Sequence, residues 1–178
     1  MTPVSTDGSN PIVRPGATAR RPALLATLAA AAALAVAVTS ERAGGLVPCA
    51  LCLLERWPYR IAIVLGLAAL ALRPRAARLL LALFAVVILA DAAIAVVHVG
   101  VEWHAWPSPL PECAAPRLHG SIAQRLAEMP ARPSKPCDEP TYPLPGVPVS
   151  FAGLNLLYAL ALGGGVLTYL WQTRRTRA

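Results

Sequence analysis

Four long apolar segments alternate with polar ones along the chain. They cover residues 22–40, 57–72, 79–100 and 150–171. A transmembrane helix needs about 20 mostly apolar residues, whereas a barrel strand is shorter and alternates in hydrophobicity. The pattern therefore predicts an all-α membrane protein with four transmembrane helices.

The polar segments complete the predicted organisation. Residues 1–19 are predicted to be a disordered cytoplasmic tail, residues 20–172 a four-helix membrane domain, and residues 173–178 a basic cytoplasmic tail. The long loop at 101–149 holds eleven of the eighteen prolines, so most of it is not regular helix. Within it, residues 117–129 have amphipathic spacing and predict a short helix, lying on the membrane surface or on the outer end of the bundle.

Charge orients the helices in the membrane. Asp, Glu, Lys and Arg make up 14% of the chain, against about 25% in soluble domains. Nine arginines lie before the first span, between the second and third spans, and after the fourth, whereas the 101–149 loop has four basic and five acidic residues. By the positive-inside rule both termini are cytoplasmic, and segments 41–56 and 101–149 face outward. The net charge of +7 thus signals topology, and no nucleic-acid partner is expected.

All four cysteines fall in these outward segments, where an oxidising compartment would preserve disulfides. Four cysteines allow three pairings, of which Cys49 with Cys52 and Cys113 with Cys137 is the simplest. A disulfide between Cys49 and Cys52 would close a very short loop and so constrain little of the unfolded chain. The spacing of this pair therefore indicates redox chemistry more than a structural bond. Zinc would need four convergent ligands, and the spacing reveals none, so no metal is expected.

The second helix can begin before its apolar run. Pro48 suits the first turn of a helix, which would extend the second span to residues 49–72. Cys49, Cys52 and Arg56 would then share one face at positions i, i+3 and i+7. Because a guanidinium and a helix N-terminus both lower the pKa of a thiol, Arg56 is expected to stabilise a Cys52 thiolate. The alternative is an arginine that extends its charge into the interface.

These residues resemble a known family. The run Cys49-Ala-Leu-Cys52-Leu-Leu-Glu55-Arg56-Trp57-Pro58 looks like the CxLCxx[EQ]RxP signature of the bacterial disulfide bond formation protein B (DsbB) family. The stretch 98–107, followed by Cys113, is similar to the end of the family's third helix and the start of its outer loop. Cys137-Asp-Glu, and then residues 150–155, resemble the entry to its fourth helix. The similarity covers roughly residues 23–171.

The resemblance implies an inner-membrane enzyme that reoxidises a periplasmic, DsbA-like thioredoxin-fold protein and passes the electrons to quinone, either ubiquinone or menaquinone. The partner's thiolate would attack Cys113, and the freed Cys137 would attack Cys49. Cys52 would be left as a thiolate against the quinone, with Arg56 near a quinone carbonyl. Each step is a thiolate–disulfide exchange.

Further polar and aromatic residues are candidates for the functional site or for the membrane interface. His98 either lines the quinone pocket or assists proton transfer, or is an interfacial histidine bonded to a helix neighbour. Asp91 is a functional candidate because it is an intramembrane carboxylate, or it makes a polar contact inside the bundle. Glu55 is expected to be an interfacial charge partner. The four residues Trp57, Tyr59, Trp103 and Trp106 fit an aromatic belt.

The sequence thus predicts a quinone-dependent thiol oxidase with Cys49, Cys52, Cys113 and Cys137 as catalytic residues. Arg56, His98 and Cys52 are the predicted quinone-binding residues. A non-catalytic membrane scaffold with structural disulfides remains an alternative. So does a related thiol oxidoreductase with a dedicated client or one running in the reductive direction.

Overall fold

The part of the chain that the computed structural model describes comprises residues 17–113, 121–123, 135–143 and 146–175. Four long helices dominate it: α1 (Ala17–Arg42), α2 (Ala50–Ala71), α3 (Pro74–Glu102) and α4 (Phe151–Arg175). A short 3₁₀ turn, Pro111–Cys113, lies in the long loop. No strand occurs in the described residues, which agrees with the predicted all-α class.

Three of these helices are long and apolar enough to cross a membrane. They are Arg20–Arg42, Pro74–Glu102 and Phe151–Arg175. Helix α2 has 22 residues, but its first half carries Glu55, Arg56 and Arg60, which sets it apart by composition. Three membrane helices are therefore supported, and a fourth crossing by α2 stays a prediction.

Helix α3 lies at the centre of the bundle. It packs against α2 and α4, and α1 packs mainly on α2. The core joins Phe84 and Ile88 of α3 to Ala62 of α2 and Ala159 of α4. Small residues allow this approach, as expected between membrane helices. A methyl group added at Gly66 would lie 2.0 Å from the hydroxyl oxygen of Thr27 on α1.

Several helix boundaries differ from the predicted ones. Helix α1 begins at Ala17, within the segment predicted to be a disordered tail, and α4 continues to Arg175, within the predicted basic tail. Helix α3 begins five residues before the predicted 79, because Pro74 supplies a favourable first helical position. Arginines are compatible with helix, so their charge marks the membrane boundary and not the helix end.

Of the predicted amphipathic helix at 117–129, all but 121–123 lies outside the described residues, as do residues 1–16.

The loop ends are tied to the bundle where the four cysteines lie, which we call the cysteine end. Cys49 forms an isolated bridge with Lys135, and the Lys135 ammonium donates to the Thr141 hydroxyl at 2.6 Å. Ser150 accepts from the backbone N–H of Gly153 at the start of α4 and donates to the Glu102 carboxylate. The end of α3, the loop and the start of α4 therefore form one connected structure around the cysteines.

Candidate functional site

The four cysteines meet in one packed cluster. Cys113 and Cys137 form a disulfide with an S–S distance of 2.06 Å, as predicted. Cys49 packs against this disulfide in a buried cluster with Leu51 and Val101. The other bond of the favoured pairing is not formed: Cys49 and Cys52 are free thiols, and their sulfur atoms lie 2.8 Å apart. A bonded pair and a dithiol pair are thus in contact, which is the arrangement that exchange between them needs.

Cys49 precedes α2 as its N-cap. Its backbone is extended, and its Sγ accepts a hydrogen bond from the backbone N–H of Cys52 at 3.2 Å. A capping side chain of this kind satisfies a free N–H of the first turn. The prediction that Pro48 lies in the first turn was therefore wrong, because the helix begins only at Ala50.

The surroundings of Cys49 lower the pKa of its thiol. The hydrogen bond with the Cys52 thiol is the largest cause, followed in the opposite direction by burial; the N–H of Cys52 also stabilises the thiolate. The surroundings therefore favour a thiolate on Cys49. The expectation that Arg56 stabilises a Cys52 thiolate stays a prediction.

Arg56 has a partner that the sequence did not indicate. Its Nη1 donates to Oε2 of Glu41 on α1 at 2.6 Å. Its Nε is buried and has no hydrogen-bond partner among the described residues. The guanidinium is thus held by a carboxylate on one side and keeps a free donor on the other. Glu41 was missed because it lies 15 residues away on another helix.

His98 lies behind the cysteine pair. Its Nε2 is 3.4 Å from Sγ of Cys49, and its Nδ1 is 2.9 Å from Oε1 of Glu55. Both side chains are buried, with exposed fractions of 2% for His98 and 7% for Glu55. A carboxylate on Nδ1 places the proton there, which leaves Nε2 as the acceptor toward Cys49. Glu55 is therefore a buried partner of His98, whereas the sequence suggested an interfacial charge.

A polar network continues from Glu55 into the bundle. The Asn155 side-chain amide on α4 donates to Glu55 at 3.1 Å and to Asp91 at 3.0 Å. Its oxygen accepts from the Tyr59 hydroxyl at 2.7 Å. Asp91 is fully buried and makes the polar contact that was one of its two interpretations. Tyr59 is buried as well, so its assignment to the aromatic belt was wrong: its hydroxyl finds a partner inside the bundle.

A cavity of about 370 Å³ opens between α1, α2 and α4 beside the cysteine pair. Its wall is largely apolar, and alanine, valine, leucine and phenylalanine supply half of its lining residues. Cys52, Glu55 and Arg56 line it along α2. Of the three predicted quinone-binding residues, Cys52 and Arg56 line this cavity and His98 does not. Cys49 is not a lining residue either.

The three parts of the site follow one another in space. The Cys113–Cys137 disulfide contacts Cys49, Cys49 contacts Cys52, and Cys52 faces the cavity. Glu55 is the one described residue that both bonds His98 and lines the cavity. The arrangement can pass a disulfide from the cavity side to the loop. Cys49, Cys52 and His98 also bring three metal-ligating atoms within 4.8 Å of one another.

Comparison with known proteins agrees with this chemistry. The sequence model of one family, described as disulfide bond formation protein DsbB, matches residues 19–169. Neither the curated proteins nor the solved structures give a match to the chain. The family match spans all four helices and all four cysteines, and the chain belongs to the DsbB family of membrane disulfide bond formation proteins.

Proposed function

We propose that the protein is an inner-membrane thiol oxidase. It reoxidises a periplasmic thioredoxin-fold dithiol oxidase and passes two electrons to membrane quinone. The observation that carries this proposal is the placement of Cys52: it touches Cys49, which packs against the Cys113–Cys137 disulfide, and it lines an apolar cavity. Family membership supports the disulfide chemistry.

The exchange begins at the loop disulfide. A thiolate of the partner attacks the sulfur of Cys113, forms a mixed disulfide and releases Cys137 as a thiolate. In one route a second partner thiolate resolves this bond directly and leaves Cys113 and Cys137 reduced. In the second route Cys137 attacks Cys49 of the oxidised Cys49–Cys52 pair and expels Cys52 as a thiolate. The second partner thiolate then closes the partner's disulfide and frees Cys113, which attacks Cys137 and releases Cys49. Packing of Cys49 against Cys113 and Cys137 in one cluster supports the second route, since exchange requires direct access of one sulfur to another.

The cavity fits a lipid-soluble quinone. Its wall is largely apolar, with a few polar groups placed at one side, as is usual for small-molecule sites. The buried Nε of Arg56, which has no partner among the described residues, is a donor suited to a carbonyl oxygen. Quinone, when bound, would supply a two-electron acceptor at this wall. Of the two sulfurs of the pair, that of Cys52 would be the nearer to the quinone.

Cys49 and His98 would assist the re-formation of the Cys49–Cys52 bond. The lowered pKa of Cys49 favours its thiolate, whose sulfur would bond to that of Cys52 while two electrons pass to the bound quinone and the two thiol protons are released. His98 Nε2 is placed to take the proton from Cys49. Glu55 holds the imidazole in the required tautomer and also lines the cavity. It is therefore a positioning residue that could hand a proton toward the cavity side.

The membrane orientation belongs to the same proposal. Helix α2 would be the fourth span, with its charged residues at the cysteine end and its apolar half, beyond Arg60, in the hydrocarbon. Both termini would face the cytoplasm, and the cysteine end would face the periplasm. This orientation puts the disulfide within reach of a soluble partner and the cavity within reach of a lipid-dissolved quinone.

The direct test mixes the purified protein with a reduced thioredoxin-fold dithiol oxidase and a ubiquinone or menaquinone analogue. We expect quinone absorbance to fall as the dithiol is oxidised, with one quinone consumed per disulfide formed. Cys52→Ala should abolish this turnover, because the sulfur that faces the cavity is lost.

The alternatives give different outcomes in the same assay. A scaffold with structural disulfides would show no turnover with any quinone. A reductive enzyme would oxidise added quinol and reduce the partner's disulfide. Unchanged turnover in Cys52→Ala would overturn the proposed route even if the wild-type protein were active.

A further inference from the structure

The three ligand atoms at the centre of the site have an arrangement that the thiol chemistry alone does not require. Sγ of Cys49, Sγ of Cys52 and Nε2 of His98 lie within 4.8 Å of one another, and Cys49 and His98 are buried. The sequence indicated no metal site because His98 lies 46 residues after Cys52 in the chain. Packing of α3 against α2 brings it to the pair.

The distances suit tetrahedral coordination by two thiolates and one imidazole. Bonds of about 2.3 Å to sulfur and about 2.0 Å to nitrogen place a sulfur and a nitrogen ligand about 3.6 Å apart. The observed distance from Cys49 Sγ to His98 Nε2 is 3.4 Å. The two sulfurs, now 2.8 Å apart, would have to separate by about 1 Å to bind one ion. Cys49 at the N-cap and Cys52 in the first turn can make this change by side-chain rotation.

A second feature points independently to a cation at Nε2. Glu55 Oε1 lies 2.9 Å from His98 Nδ1. A carboxylate that accepts from the far nitrogen of a ligating histidine is the usual outer partner at zinc sites, because it fixes the tautomer and raises the basicity of the ligand. Asn155 in turn donates to the other Glu55 oxygen at 3.1 Å, so the carboxylate is itself held in place.

We propose that the reduced Cys49–Cys52 pair and His98 form a binding site for a borderline or soft cation such as Zn²⁺. Coordination by both sulfurs displaces up to two thiol protons and leaves the oxidation state of every atom unchanged. One tetrahedral position stays open on the side where Cys52 lines the cavity. The bound ion ties up the two sulfurs that must bond to each other, so the ion and the Cys49–Cys52 disulfide exclude one another. This consequence for thiol oxidation rests on the proposed function, whereas cation binding itself does not.

The test uses Co²⁺ as a spectroscopic probe and Zn²⁺ in competition with a chromophoric chelator. The detergent-purified full chain carries Cys113→Ser and Cys137→Ser, so that only the pair at α2 can supply sulfur. In the reduced protein we expect one Co²⁺ per chain, with a sulfur-to-cobalt charge-transfer band and the intense visible bands of a tetrahedral ion. Oxidation of Cys49 and Cys52 should remove the spectrum.

Variants separate the site from general thiol affinity. We expect His98→Ala to weaken Zn²⁺ binding at least tenfold, and Glu55→Gln to weaken it by about tenfold, the lower end of the range for outer partners. His98→Cys, which keeps a metal-ligating side chain, should restore tight binding. His104→Ala is the matched control, since this histidine lies at the same end of α3 with a side chain that is 72% exposed, and it should bind Zn²⁺ as before.

Three results would overturn the proposal. The first is a Zn²⁺ affinity of the His98→Ala variant equal to that of the protein with His98, when circular dichroism shows native helix content. The second is a cobalt spectrum without charge transfer from sulfur. The third is cation binding that survives oxidation of Cys49 and Cys52. None of these readouts involves quinone or a protein partner. Failure of the cation site and failure of the proposed oxidase activity are therefore distinguishable.

Discussion

Arg56, at the cavity wall, combines one ion pair with one unused hydrogen-bond donor. Glu41 takes its Nη1 at 2.6 Å, which fixes the guanidinium plane, and its buried Nε keeps a donor unused by the described residues. Arginine suits this role better than lysine, because its donors are rigidly arranged and it stays charged when buried. The ion pair with α1 therefore orients the donor that the proposed quinone would use.

We expect Arg56→Met to raise the quinone KM about tenfold while the KM for the dithiol partner changes little. A hydrogen bond to a charged donor contributes about 1.5 kcal/mol or more, and about 1.4 kcal/mol corresponds to a factor of ten. Steady-state turnover at varied quinone and fixed partner measures the effect. Arg60→Met is the matched control: Arg60 lies one turn further along α2, over the Trp57 ring, and its loss should leave both constants unchanged. An effect on the partner KM alone would remove Arg56 from the cavity role.

The Cys49 thiol provides a prediction about pH. Its pKa is lowered chiefly by the hydrogen bond with the Cys52 thiol, so the reduced pair should release its first proton below the ordinary range of a cysteine, near 8.5. In protein with Cys113→Ser and Cys137→Ser, thiolate ultraviolet absorbance should therefore rise at a lower pH than in the same protein with Cys52→Ala. An equal or lower titration midpoint in the Cys52→Ala protein would show that the hydrogen bond does not stabilise the thiolate.

At the scale of the element, the contacts between helices depend on single small residues. Gly66 of α2 faces Thr27 of α1, and a methyl group at Gly66 would lie within 3.1 Å of both Oγ1 and Cβ of that threonine. The Thr27 hydroxyl is also engaged, since it donates to the carbonyl of Ala23 at 2.7 Å. Helix α1 supplies one wall of the cavity, so this contact determines how close that wall can lie to α2.

Gly66→Ala should lower stability by about 1–3 kcal/mol, the usual cost of overpacking a close contact. The apparent Tm of the detergent-purified protein measures the loss. Gly164→Ala is the control, because a methyl group at that glycine of α4 meets nothing within 4 Å. The Gly66→Ala variant should regain much of its Tm when combined with Thr27→Ala. A Gly66→Ala protein as stable as the control would show that α1 and α2 are not packed through this contact.

At the scale of the whole molecule, the bundle separates arginines from cysteines. The arginines at the start of α3 and the end of α4 meet at one end, where Arg78 donates to the Leu170 carbonyl and the Thr173 hydroxyl. The four cysteines cluster at the other end. The length of the bundle between these ends is that of membrane-crossing helices. In the proposed orientation, exchange chemistry would thereby be confined to one side of the membrane.

A pair of single-cysteine proteins checks this orientation. With the native cysteines replaced by serine, His104→Cys should react with a membrane-impermeant maleimide in cells whose outer membrane alone is permeabilised. Arg174→Cys should react only after the inner membrane is opened. Both positions are exposed in the structure, so access differs only by side of the membrane. Labelling of both positions from the periplasm would place an even number of spans between them, which excludes a single crossing by α4 and with it the proposed orientation.

The sequence alone determined the features that depend on local composition. Apolar runs of sufficient length specified the helices, since hydrocarbon-facing residues must be apolar over a whole span, and the CxxC with Arg56 indicated redox chemistry and the family. The helices extend beyond the predicted spans by up to five residues, because arginine and small polar residues continue a helix without marking its end.

Only the tertiary structure decided which distant residues share the site. Glu55, His98 and Asn155 come from three helices, and they meet because buried polar groups must find partners within the bundle. The same packing gives Arg56 its carboxylate on α1 and moves Tyr59 from the expected interface into the core. Spacing along one helix places residues on a common face, but it carries no information about which face of another helix lies opposite. For that physical reason the cysteines were predictable, whereas the residues that tune and position them were not.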